Sequence, residues 1–396
     1  VKRSREWLAG AALGVGGLLL SLLLLEVGVR GLHLMPDRFW EPDDLLGARL
    51  IAGASGWWTQ EEREFVIPIE INSHGRRDVE RPWAKPPGVR RVLVLGDSFT
   101  EAMQVGLDET WFRRLEAALN ARGDGTRYEV LGAGVSGYGT AGATLSFERD
   151  GHRYAPDLVL LGFYPGNDVQ NNSPTLEDRF PPVYDEAGQL LRVESTTRTP
   201  PQGWLPEWQT YRFLRKMILT RQPQVAQLLV AAGLMQPEAV RAVPARDGVP
   251  LAYGAYATPL SAEWEDAWQR TEALLDRLRR SAAGHGANFA LAILTIRDQI
   301  YPDFWTEIVR QNPAMAEREW DLDAPQRRVA AWCERSGAAC LELAPAFRAR
   351  RDAGAEALHF RQDGHWTAAG HALAAEALTD FIARQLQAPR QQEGGH

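Results

Sequence analysis

Apolar and polar positions along this 396-residue chain fall into a repeating alternation that begins near Val89. Val92-Leu93-Val94-Leu95 is an unbroken apolar run with two β-branched residues, the pattern of a central parallel strand covered on both faces, and it stops at Gly96. Amphipathic spacing then predicts a helix over Glu109–Ala121. A second strand is expected over Tyr128–Gly132, a helix over Ala141–Asp150 and a third strand over Leu158–Phe163. The alternation resumes with a helix over Ser261–Ala283, where Ser261 is the N-cap and Glu263 and Glu265 stand in the first turn. Strands at Phe289–Leu294 and Cys340–Leu343 follow, separated by a helix over Ala324–Ser336, and a last helix covers Thr367–Leu386. Strand–helix alternation of this kind gives right-handed crossovers and a parallel sheet, hence an α/β fold.

Three stretches depart from the pattern. Trp7 to Leu25 is a nineteen-residue run without a formal charge. As a helix it is about 28 Å long, close to the hydrocarbon thickness of a bilayer. Lys2, Arg3 and Arg5 precede it, which predicts a single-pass anchor with a cytoplasmic amino end. No small-x-small cleavage site follows in Glu26-Val27-Gly28-Val29-Arg30, so an uncleaved anchor is expected rather than a removed leader. Residues 1–34 are therefore a cytoplasmic stub and anchor, and 35–88 an irregular edge segment in which Phe65–Asn72 reads as a strand at an edge because of Pro68. Residues 89–388 form the main domain, with a partly helical insertion at about 169–260, in which Trp208–Met235 is apolar-periodic and broken at Pro223. A polar tail, 389–396, closes the chain.

Charge and cysteines narrow the picture. The net charge of −7 and the lack of a basic stripe exclude a nucleic-acid partner. Cys333 and Cys340 lack the spacing of a zinc site, and stand either as a disulfide closing a short loop or as two unpaired thiols.

Chemistry gathers where the strands end. Ser98 follows the first strand in Gly96-Asp97-Ser98, Gly137 lies in the turn after the second, and Asn167 follows the third in Gly166-Asn167-Asp168. Asp363-Gly364-His365 lies after the fifth, and in a parallel sheet all these turns share one edge, where ligands bind. A serine nucleophile needs a general base, for which His365 is placed, and the histidine needs a partner on its second nitrogen, for which Asp363 stands two residues away. The Ser98 backbone N–H, the Gly137 backbone N–H and the Asn167 side-chain amide are candidate donors to an oxyanion. Asp168 reads as a turn or cap residue, His74 as a turn residue, His371 as a histidine packed on a helix face, and Trp366 as core.

In this order the four blocks resemble the SGNH or GDSL hydrolases, and the resemblance covers roughly Arg90 to Leu386. It implies a flavodoxin-like three-layer α/β/α sandwich with a five-stranded parallel sheet. It implies Ser98 as nucleophile, His365 as general base and Asp363 as its orienting acid. Gly137 and Asn167 are implied as oxyanion donors beside the Ser98 N–H, and Gly134 is a second candidate for the glycine. Many members space the acid and histidine as Asp-x-x-His, whereas this chain has Asp-x-His with Gln362 at the usual acid position. Either Asp363 serves from a shorter loop, or a backbone carbonyl takes its place.

The resulting expectation is a membrane-anchored serine esterase with its catalytic domain in the periplasm or outside the cell. It would act on an acylated small molecule or glycan, O-acetyl esters among them, with no cofactor and no metal. An O-acyltransferase working on envelope polysaccharide would use the same triad, and a non-catalytic carbohydrate-binding protein would use the same fold.

Overall fold

A computed structural model describes residues 2–60, 62–196, 208–232, 245–246, 248–354 and 356–388. The expected tail, 389–396, and part of the insertion lie outside the described residues. The chain divides into two compact units, one built from Val1–Asp37, Trp57–Val66 and Arg198–Val243, the other from Arg38–Gly56, Ile67–Thr197 and Pro244–His396.

The larger unit is built on five parallel strands: β1 (Val89–Gly96), β2 (Arg127–Gly134), β3 (Leu158–Phe163), β4 (Asn288–Ile293) and β5 (Ala339–Glu342). Their spatial order is β2-β1-β3-β4-β5. This is the flavodoxin-like order, and its reversal point lies between β1 and β3. Alternate side chains of each strand face opposite layers, so the sheet needs cover on both sides. On one face Leu93, Leu131, Val159 and Leu291 pack against Phe147 of α2 (Thr140–Arg149), Trp268 and Leu275 of α3 (Ala262–Gly284) and Trp332 of α4 (Ala324–Ser336). On the other, Val92, Val94, Val130 and Leu160 pack against Phe112 and Leu115 of α1 (Trp111–Ala121) and Leu378 and Ile382 of α5 (Ala368–Gln387). Each such side chain contributes roughly 1.5–3 kcal/mol by leaving water. The three-layer sandwich expected from the sequence is the observed fold.

Element ends differ where local chemistry decides. The helix expected from Glu109 begins instead at Trp111, because Leu107–Glu109 is a separate 3-10 turn closed by the Glu109 side chain on the Gly106 N–H at 2.9 Å. The partly helical insertion also contains an antiparallel pair, Pro182–Tyr184 with Leu190–Val193, turned at Asp185–Gly188. Its periodic stretch forms two helices, Gln209–Arg221 and Pro223–Ala231, broken where Pro223 was expected to break it. Val66–Glu70 is a strand outside the five-stranded sheet. Cys333 on α4 and Cys340 on β5 form a disulfide across the turn at Gly337, which decides between the two readings of that pair.

In the smaller unit a single helix runs from Lys2 to Gly31, and Gly10–Gly31 is long and apolar enough to cross a membrane by length and composition. A signal sequence near an amino terminus meets the same criterion of length and apolarity. Its leucines face outward, Leu13 being 77% and Leu24 62% exposed.

Candidate active site

The site is assembled at the carboxyl edge of the sheet, over the reversal point between β1 and β3. Gly96 of β1 is in register with Gly134 of β2 on one side and Gly162 of β3 on the other. All three lie against Thr100: a Cβ on Gly96 would collide with its hydroxyl, one on Gly134 would meet its Cβ at 2.5 Å, and one on Gly162 its hydroxyl at 3.0 Å. Three glycines at one level thus form a floor into which the helical turn Ser98–Glu101 settles. Asp97 caps that turn, accepting the Phe99 N–H at 2.9 Å. The buried Arg77 guanidinium closes its far end by donating to the carbonyls of Glu101, Ala102 and Val105.

The loop between the helix Ala344–Asp352 and α5 brings the histidine over. His359 and Trp366 form an isolated antiparallel bridge, and Phe360 N–H donates to the His365 carbonyl at 2.8 Å, so the loop is a closed hairpin. Trp366 is fully buried as expected, and its indole N–H donates to Thr295 at 3.0 Å. Phe99 packs under the His365 ring at 4.6 Å and against Trp366 at 5.3 Å. In this frame His365 Nε2 stands 2.7 Å from Ser98 Oγ, and His365 Nδ1 stands 2.6 Å from Asp363 Oδ1. Asp363 therefore reaches the imidazole from the shortened Asp-x-His loop, and no backbone carbonyl is needed in its place.

The two other blocks flank this relay. Val135 to Tyr138 is a turn closed by Tyr138 N–H on the Val135 carbonyl at 3.0 Å, and Gly137 occupies its third position with φ +84°. A type II turn needs positive φ there, which glycine adopts at no cost. Gly134, by contrast, ends a strand and packs against the Ser98 turn. Asn167 sits in a turn after β3 that Asp168 closes by accepting the Tyr164 N–H at 3.0 Å, so Asp168 is a turn residue, as read from the sequence. The Asn167 amide approaches Asp97 and acts on it as a donor, short of full hydrogen-bond geometry, and Asp97 Oδ2 is otherwise unpaired.

Burial governs the electrostatics here. It pushes the Asp97 carboxyl up to about 6 against the pull of the Phe99 N–H and the field of His365. It raises Asp168 well above the usual carboxylate range, and the nearby Asp97 charge adds to the shift. His359 and His371 are held neutral by burial, His359 down to about 3. His371 accepts the Trp111 N–H at 3.2 Å, which caps α1. His74 stacks on Trp83 and bonds Tyr154 at 2.7 Å, away from the relay.

Four residues of this region were not singled out in the sequence. Glu101, buried on the nucleophile turn, accepts Trp40 Nε1–H at 2.9 Å and the Ser136 hydroxyl. Burial lifts its carboxyl to about 7. Arg77 lies nearby and binds the backbone of the same turn. The available signal was a carboxylate three residues after Ser98, in a stretch from Ser98 to Leu107 that is otherwise uncharged.

Ser98, His365 and Asp363 thus lie within hydrogen-bond reach at the switch point of a β2-β1-β3-β4-β5 sheet, and the fold is that of an ester hydrolase of the SGNH type. The chain belongs to the GDSL-like lipase/acylhydrolase family, whose model matches residues 94–373. No curated protein matches it. Among solved structures it is similar to the acetyl xylan esterase AlAXEase, at 12% identity and TM-score 0.39, over 74% of this chain and 99% of that one. It is similar to a catalytic mutant of Axe2, an acetylxylan esterase from Geobacillus stearothermophilus, at 14% identity and TM-score 0.39, over 75% and 94%. TesA matches at 14% identity and TM-score 0.38, over 75% and 99%.

Proposed function

We propose that the chain is a membrane-anchored extracytoplasmic serine esterase with Ser98, His365 and Asp363 as its triad. The observation that carries this reading is the continuous relay, 2.7 Å from Ser98 to His365 and 2.6 Å from His365 to Asp363. His365 Nε2 takes the Ser98 proton as Oγ bonds to the ester carbonyl carbon, and the carbonyl becomes an oxyanion. The N–H groups of Ser98 and Gly137 and the Asn167 amide are its donors. As the C–O bond to the leaving alcohol breaks, His365 returns the proton to that alcohol, leaving an acyl-Ser98 ester. Water then attacks by the same route, and the acid and free Ser98 result. Asp363 holds the imidazole in the tautomer with Nδ1 protonated and stabilises the imidazolium.

Two features support an outward location. The Cys333–Cys340 disulfide fits an oxidising compartment. Lys2, Arg3 and Arg5 precede the apolar run of that helix, which favours a cytoplasmic amino end.

The test uses the full chain in detergent, treated with a fluorophosphonate and assayed on acetyl esters of phenols and of glycans. Covalent labelling and ester turnover that both vanish in Ser98→Ala, with an unchanged thermal transition, are the expected result. Turnover that survives Ser98→Ala would overturn the assignment.

A further inference from the structure

The smaller unit holds a feature that the esterase reading leaves unused. Residues 209–231 contain Arg212, Arg215, Lys216 and Arg221 and no acidic residue, in a chain whose net charge is −7. They fold as the helix Gln209–Arg221 and, after Pro223, the helix Pro223–Ala231. Large apolar side chains on both stand in the open: Tyr211 and Leu214, three apart on one helix face, and Val225 and Leu228, three apart on the next. Leu228 is 70% exposed.

These helices are fastened to the long apolar helix at a defined height. Glu26 is the first formal charge after the run that starts at Trp7, so it marks where that helix leaves the hydrocarbon. Its carboxylate accepts the backbone N–H groups of Gln209 at 3.2 Å and Thr210 at 2.7 Å, capping the first basic helix, and pairs with Arg30 at 2.6 Å. Gln209 is also tied to Asp37, just past the long helix, by a 2.7 Å hydrogen bond. The start of the helix pair is thereby held at the level of the membrane–water boundary. An amphipathic, purely cationic helix with exposed leucine and tyrosine is the form that lies in that boundary.

We infer that the Gln209–Arg221 and Pro223–Ala231 helices lie on the bilayer that the long helix spans, with Leu214 and Leu228 among the acyl chains and Arg215 and Arg221 on anionic lipid headgroups. The inference rests on the anchor reading above. It adds a second membrane contact beside the first; the spanning helix alone secures attachment, and the interfacial pair fixes how the unit rests on the surface. Cationic side chains are drawn to an anionic surface within a short screening distance, so this contact responds to salt and to lipid charge.

The test reconstitutes the full chain in phosphatidylcholine vesicles with and without phosphatidylglycerol. Single cysteines, Leu228→Cys and separately Leu24→Cys, carry an environment-sensitive fluorophore, attached under non-reducing conditions so that Cys333 and Cys340 stay paired. Nitroxide-bearing lipids and aqueous iodide are the two quenchers. The inference expects both labels to be quenched at least about threefold more by the lipid nitroxide than by iodide. In Arg215→Glu/Arg221→Glu, or in vesicles without phosphatidylglycerol, only the residue 228 label should shift toward iodide. A residue 228 label open to iodide while the residue 24 label stays in lipid overturns the inference and leaves the anchor standing. A residue 228 label shielded from both quenchers also overturns it, since protein then covers the face. Iodide access at residue 24 removes the anchor, and the inference with it.

Discussion

The Ser136 hydroxyl donates to Glu101 Oε2, and that one bond ties the turn carrying Gly137 to the turn carrying Ser98. The spacing between two of the proposed oxyanion donors, the Ser98 and Gly137 N–H groups, is thus held by a buried carboxyl that touches neither. Glu101→Ala removes this acceptor from the half-buried Trp40 Nε1 and Ser136 Oγ. It should cost about 1–3 kcal/mol of stability and lower kcat about 10–100-fold. KM should stay close to its original value, because the oxyanion forms only in the transition state. Glu101→Gln keeps one acceptor oxygen and should recover most of kcat. Steady-state kinetics on a chromogenic acetyl ester, paired with urea titrations, check both halves.

Asp363 reaches His365 across a single glycine, and its role is open to a direct measurement. Asp363→Asn preserves the shape of the loop but offers an amide where the imidazole N–H needs a carboxylate. It should lower kcat about 10²–10⁴-fold with little change in the unfolding midpoint. Asp363→Ala should fall in the same range. A loss of less than about tenfold in both variants would mean that His365 works as a dyad with Ser98.

The architecture was legible because its signals are local. Val92 to Leu95 is apolar on every residue, as a strand buried on both faces must be, and Ser261 caps α3 as its position before Trp264 implied. The Ser98, Asp363 and His365 positions were legible because each sits in a short polar turn, Ser98 directly after an apolar strand and the other two shortly before the last helix. Glu101, Ser136, Trp40 and Arg77 were not legible, because their significance lies in contacts over 24 to 61 residues of sequence. A buried carboxylate looks no different in a sequence from an exposed one. The disulfide was undecided for the same reason: a separation of seven residues permits pairing, but only the turn at Gly337 brings the two thiols together.

Two glycines near Ser98 make opposite demands, and substitution separates them. At Gly137 a Cβ would lie 3.5 Å from the Phe180 ring, an ordinary contact, so the difficulty is the φ of +84°. Gly137→Ala should cost about 1–2 kcal/mol and should lower kcat by displacing a donor. At Gly134 a Cβ would stand 2.6 Å from the Glu101 backbone nitrogen and 2.8 Å from the Asp97 carbonyl oxygen. Gly134→Ala must push the whole Ser98 turn off its floor, and should cost about 3 kcal/mol with near-complete loss of turnover. Circular dichroism melts and kinetics on the two variants, side by side, should rank them in that order.

Cys333 and Cys340 join α4 to β5, the last strand of the sheet, across a short turn. Because the loop they close is short, the chain-entropy contribution is about 2 kcal/mol. Reduction, or the double change Cys333→Ser/Cys340→Ser, should lower the free energy of unfolding by that amount. Activity should be unchanged below the transition, since neither sulfur belongs to the Ser98, His365, Asp363 or Glu101 contacts. Urea titrations with and without reductant measure it.

The buried carboxyls give the larger unit an inverted response to pH. Burial lifts Asp78 from 3.8 to about 7 against the Arg113 charge and the Gly132 N–H, and lifts Glu101 from 4.5 to about 7. Between the unfolded and folded values the native state holds protons that the unfolded chain has released. Stability from these two groups is therefore complete below about pH 4 and is lost as pH rises through about 7. Carboxylates with salt-bridge partners act the other way: Asp157, despite the cost of burial, is held below its ordinary value by Lys85 and the Arg91 N–H, and its contribution is lost in acid. The two trends place the stability maximum on the mildly acidic side of neutrality, with a decline on the order of 2 kcal/mol toward mildly alkaline pH. Glu101→Gln and Asp78→Asn remove the proton exchange and should each flatten that decline. Urea midpoints taken across this range, for the parent and both variants, measure the slope; a parent that gains stability from pH 5 to pH 8 would contradict the assignment of protonated carboxyls to these two sites.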